Sequence, residues 1–123
     1  MVLNGQSYAV EIEHILWKVF NCERFGFGGM VDADYIRKYP FHTMMCGLSF
    51  LYAKADAVKQ KAIEKFFEDY SFYADMSIDD LLSFDNSAKT VDNVTIEIGF
   101  KNGKQAIEHI ISKFRQLCKK LYM

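Results

Sequence analysis

Apolar residues recur three and four apart along most of this 123-residue chain, the spacing of one face of an α-helix. Tyr8, Ile12, Ile15, Leu16, Val19 and Phe20 form the first stripe. They predict a helix from Ser7 to about Glu23, with Ser7 as its N-cap. RFGFGG, Arg24 to Gly29, ends it, because glycines at 26, 28 and 29 do not continue a helix. A short helix is expected over Asp32 to Lys38. Pro40 closes it by pushing Tyr39 out of the α region, and then opens the next helix, where its missing N–H costs nothing.

Phe41, Met44, Met45, Leu48 and Tyr52 line one face of that next helix. Asp56 either caps a separate helix or lies inside a continuous one. Ala55, Val58, Ala62, Phe66, Tyr70 and Tyr73 make the following stripe, widened by Ile63 and Phe67. Ser77 begins a weak capping box, S-I-D-D, with Leu81, Leu82 and Phe84 behind it. DNSAKTVDN, Asp85 to Asn93, reads as a loop.

At VTIEIGF, Val94 to Phe100, the period changes to two, which predicts a strand. A strand needs a mate for its backbone N–H and C=O groups. Met1 to Leu3, Lys89 to Val91 and another molecule are the candidates. Asn102 caps the last helix, with Gln105 three residues on. Ile107, Ile110, Ile111, Phe114, Leu117 and Leu121 form its stripe. The fold expected is mainly α: a bundle of five to six helices, residues 1–123 as one domain, with a minor β element near 94–100. An α+β fold is the alternative, if the strand finds two mates within the chain.

Composition adds limits. Half of the residues are hydrophobic and 15% are aromatic, which disfavours disorder. The three cysteines are scattered with no CxxC pair, a pattern of free thiols in a reducing compartment. The first residues lack the basic and apolar regions of a signal peptide, and no apolar run reaches membrane-spanning length. A cytoplasmic, non-membrane protein is expected.

The sequence I-E-H-I occurs twice, at Ile12 to Ile15 and Ile107 to Ile110. His14 and His109 each fall about 200° from the preceding isoleucine on the helical wheel, opposite the apolar stripe. The repeat is therefore one binary pattern used at both ends, not a pair of metal ligands. His42 and Cys46 share a helix flank, but no second closely spaced Cys/His pair completes a zinc site, and packing explains them better. Asp32 with Asp34, and Asp79 with Asp80, lack a neighbouring nucleophile or orienting group. GFGG lacks the remainder of a phosphate-binding loop. No catalytic residue, metal site or cofactor is assigned.

Net charge is −1, but it is unevenly spread. From Asp56 to Asn86 eight acids stand against three lysines, leaving −5; from Gly99 to Met123 the balance is +5. The acidic stretch is interleaved with aromatic residues. That combination suits a basic protein partner, since charge steers encounter and rings supply the buried anchor. The residues expected to bind it are Glu64, Phe67, Glu68, Asp69, Asp75, Asp79 and Asp80, with Trp17, which lies about 140° from its stripe centre, as a further anchor.

The function expected is a small non-catalytic inhibitor or immunity-type protein that binds and neutralises a basic partner such as a toxin nuclease. Two other classes compete: a metal-binding or Cys/His enzyme, and a nucleic-acid-binding regulator using the basic last helix. The acidic middle would repel nucleic acid, and the last helix lacks stacking aromatics. Homo-oligomerisation through the 94–100 strand is open.

Overall fold

The structure, a computed structural model, describes residues 5–20 and 32–122. The glycine-rich stretch at 24–29, the candidate mate at 1–3 and the expected end of the first helix near Glu23 lie outside the described residues.

Six α-helices are present among them, together with a two-stranded sheet. Helix α1 spans Gly5–Phe20 and buries Tyr8, Ile12, Ile15 and Leu16. Ser7 is not its N-cap, because the helix already runs at Gly5 and Ser7 is exposed inside it. Helix α2, Ala33–Lys38, starts where Asp32 Oδ1 accepts the Asp34 N–H at 2.7 Å. Pro40 is the first residue of α3, Pro40–Tyr52, which buries Phe41, Met44 and Leu48.

The chain breaks at Asp56, whose carboxylate accepts the Lys59 N–H at 2.9 Å and starts α4, Ala57–Tyr70. That separate start corrects the expected stripe. The buried side of α4 is Ile63, Phe66 and Tyr70, and Val58 is 70% exposed. Val58 lies about 110° from the centre of the true face on the helical wheel. A single stripe from Ala55 to Tyr73 is rotated off the true face, because it crosses the helix boundary at Asp56. A 3₁₀ turn at Ser71–Tyr73 follows, then α5, Ile78–Leu82, with the full capping box at Ser77 and Asp80.

The segment expected to be a loop contains β1, Ala88–Val91, which pairs antiparallel with β2, Val94–Glu97. Val91 faces Val94 across a two-residue turn, and Asp92 and Asn93 take φ of 51° and 66°. This is a type I′ hairpin, whose twist matches that of the strands; Asn and Asp are the non-glycine residues that best tolerate such φ values. Of the three candidate mates, the near one pairs. The strand also ends at Glu97, short of Phe100, because Gly99 at φ 70° turns the chain toward the last helix.

Helix α6, Gly103–Tyr122, begins where Asn102 Oδ1 accepts the Gln105 N–H at 2.8 Å and the Gln105 side chain accepts the Lys101 N–H at 2.9 Å. It buries Ala106, Ile107, Ile110, Ile111, Phe114 and Cys118. Helices α1 and α6 meet at the core, and two polar links cross their seam. The buried Tyr8 hydroxyl donates to Glu108 at 3.1 Å, and Arg115 pairs with Glu11 at 2.5 Å.

Candidate protein-interaction surface

The five carboxylates expected on α4 and α5 have very different employment. Asp79 is gripped by Arg37 of α2 through two bonds, Nε to Oδ2 at 2.7 Å and Nη2 to Oδ1 at 2.9 Å. This fork ties α2 to α5. Asp80 completes the capping box, its Oδ2 accepting the Ser77 N–H. Glu64 accepts the Tyr52 hydroxyl at 2.8 Å, and that hydrogen bond raises the Tyr52 phenol above its ordinary range. Asp69 lies 3.3 Å from Lys65, an exposed i,i+4 pair worth little in water. Of these five, only Glu68 keeps a carboxylate without a partner among the described residues. In the turn beyond α4, Asp75 is exposed and unpaired in the same way.

Glu68 and Asp69 occupy the last turn of α4, which holds no basic residue. The helix dipole places partial negative charge there, so a carboxylate in that position costs about 0.3–1 kcal/mol instead of stabilising. Beside this unfavourable cluster, the 3₁₀ turn carries Phe72, whose ring is 56% exposed. Phe72 stands edge-on to Tyr73 at a centroid distance of 5.1 Å, and Tyr73 is buried with its hydroxyl donating to the carbonyl of Ile98. The exposed ring is thus mounted on a buried neighbour.

The two aromatic anchors expected from sequence fare differently. Phe67 is half-buried and packs against the core, so it supports α4 and does not project. Trp17 is 42% exposed on α1, a different element from the acidic group. Phe72, one of the aromatics interleaved with the acids, is not among the binding residues expected from sequence, because it falls between Tyr70 and Tyr73, outside the stripe. The signal was present. Phe72 sits about 200° from Tyr70 on a helical wheel, an apolar ring aimed away from the core.

His14, His42 and His109 are exposed, and Cys46 is half-buried against the core. His109 rests beside Phe100 and Tyr70, with ring centroids 5.1 Å and 6.5 Å away. Among the described residues, no group of three or more His, Cys, Asp or Glu is placed to hold a metal ion. An open cleft lined by Lys101, Asn102, Lys104, Gln105 and Glu108 lies at the start of α6, where Asn102 and Gln105 are engaged in capping. No described helix is long and apolar enough to cross a membrane.

Among known proteins, no family model, no curated protein and no solved structure matches this chain.

Proposed function

We propose that this protein is a non-catalytic interaction domain that binds a basic protein partner through the end of α4 and the turn that follows it. The observation that carries this is Phe72, a solvent-exposed ring in the turn that directly follows Glu68 and Asp69, where the helix dipole disfavours acids, and that leads on to the exposed Asp75. A lysine or arginine brought there relieves the local repulsion and also lies over an aromatic face. Rings at the centre of such contacts carry most of the binding energy, while surrounding charges set the rate of encounter. Within this class, an inhibitor or immunity-type protein that neutralises a basic toxin such as a nuclease fits a small domain with an acidic, ring-centred surface.

The test uses the full chain as bait in extract of its native cell, beside the variants Phe72→Ala and Glu68→Lys/Asp75→Lys. The expected result is one basic protein retained by the wild type and lost by both variants, with the circular dichroism of all three unchanged. A partner that binds the variants as tightly as the wild type removes this surface from consideration. So does an acidic partner.

A further inference from the structure

We propose that a second copy of this chain pairs with β2 along its outer edge, in a register centred on Ile96, giving a two-fold dimer with a continuous four-stranded sheet. The hairpin register determines which backbone groups are available. Val94, Ile96 and Ile98 turn their N–H and C=O groups toward β1, as the bond from the Ile98 N–H to the Ser87 carbonyl at 3.0 Å shows. In an antiparallel ladder the alternate residues, Thr95 and Glu97, therefore point theirs outward. Among the described residues the sheet has two strands only, so nothing there takes these groups up.

The two edges differ. On β1, Asn86 caps the Ala88 N–H at 3.0 Å, and Lys89 crosses to Ser83 at 2.8 Å. Among the devices that protect edge strands from pairing, lysine, proline and bulges are absent from β2, a four-residue strand whose one charge is Glu97.

The self-complementary register follows from charge and burial. With the two-fold axis at Ile96, Thr95 exchanges backbone hydrogen bonds with Glu97 of the second copy, and Glu97 with its Thr95. Each carboxylate then faces a hydroxyl, not the other carboxylate. Ile96 meets its own counterpart, and Val94 lies opposite Ile98 of the second copy. Along the hairpin's apolar face burial falls from Ile98, 1% exposed, through a half-buried Ile96 to Val94, 60% exposed, and Val91, 42% exposed. An antiparallel pair of hairpins sets the bare tip of each beside the covered base of the other. That arrangement brings the exposed valines of one copy against the body of its mate.

Two variants test the register. Thr95→Pro removes an outward N–H while leaving every bond to β1 intact, a substitution that edge strands accept. Ile96→Cys places two thiols in a non-hydrogen-bonded pair across the axis, where the Cα separation of about 4.5 Å permits a disulfide. In sedimentation over a concentration series, the wild type is expected to dimerise and Thr95→Pro to remain monomeric at concentrations where the wild type is paired. On oxidation, Ile96→Cys is expected to give a covalent dimer that neither the wild type nor Thr90→Cys, on the far strand, produces. Circular dichroism and thermal unfolding establish that each variant is folded. A wild type that stays monomeric throughout overturns the proposal. So does a Thr95→Pro protein that dimerises as well as the wild type, or cross-linking as strong at Thr90 as at Ile96.

Discussion

Gly103 lies so close to the backbone of Leu81 that a Cβ on it would come within 1.7 Å of the Leu81 carbonyl oxygen. The first turn of α6 is in this way pressed onto the end of α5, and the Gly103 N–H donates to the Phe84 carbonyl at 2.9 Å. The reason for glycine is the close approach. The contact also positions the acidic region, since α5 carries Asp79 and Asp80.

Gly103→Ala should be among the most damaging single changes in the chain. The atom in the way is a backbone oxygen, which cannot move aside as a flexible side chain does. Overpacking of this kind typically costs about 1–3 kcal/mol, and a backbone clash belongs at the upper end or above. Urea unfolding should show a lower midpoint with the slope unchanged. A loss of under about 0.5 kcal/mol would mean that the helices are not packed this closely.

Charge reversal should separate structural acids from available ones. Asp79→Lys breaks the fork with Arg37 and sets two cations face to face, so it should lower stability and loosen α2 from α5. Glu68→Lys places a cation in the last turn of α4 and should leave stability unchanged or raise it by about 0.3–1 kcal/mol. Thermal unfolding of the two variants checks the contrast. Equal destabilisation by both would contradict the assignment of Glu68 as unpaired.

Alkaline conditions should unfold the protein through its tyrosines. Burial and the hydrogen bond to Glu108 push the Tyr8 phenol up to about 12, and burial raises Tyr70 and Tyr73 as well. A phenol that resists ionisation in the folded chain stabilises it fully below the ordinary value near 10. Above that, the unfolded chain gives up its proton first, so stability falls with rising pH until the folded value is passed. The unfolding temperature should therefore decline between about pH 10 and 12, with a shallower slope for Tyr8→Phe.

The thiols of Cys46 and Cys118 should differ in reactivity. Cys118 is 1% exposed in the core face of α6, and burial pushes its thiol up to about 12. It should resist alkylation in the native protein and react at once in denaturant. Cys46 is half-buried, so it should be modified faster. Peptide mapping after brief iodoacetamide treatment gives the order directly.

The hairpin turn should respond to glycine. Asn93 holds φ at 66°, a conformation that glycine adopts without strain. Asn93→Gly should leave the fold intact and stabilise the hairpin slightly, by a few tenths of a kcal/mol. Proline at the same position should open it, because its ring holds φ near −65°. Amide exchange at Ile96 and Ile98 would report both effects.

Local chemistry was legible in the chain itself. Asp32, Pro40, Ser77 and Asn102 each mark a helix start, because a cap or a fixed φ acts within three residues and needs no tertiary neighbour. The apolar stripe of α6 was equally plain, since a long helix with one buried face repeats its pattern many times over. What misled was any boundary where two local preferences compete. The expected stripe of α4 runs through Asp56 and takes in Val58, and a polar run hides the strand from Ala88 to Val91. A type I′ turn flanked by valines at 91 and 94 was the missed signal.

Tertiary structure alone decided which charged groups are available. From sequence, Glu64, Glu68, Asp69, Asp75, Asp79 and Asp80 are equivalent carboxylates. Folding brings Arg37 to Asp79 and Tyr52 to Glu64, and leaves Glu68 and Asp75 in water beside Phe72. The physical reason is range. A helix is specified by contacts three and four residues away, whereas an ion pair between residues 37 and 79 exists only once α2 and α5 have been packed together by the core between them.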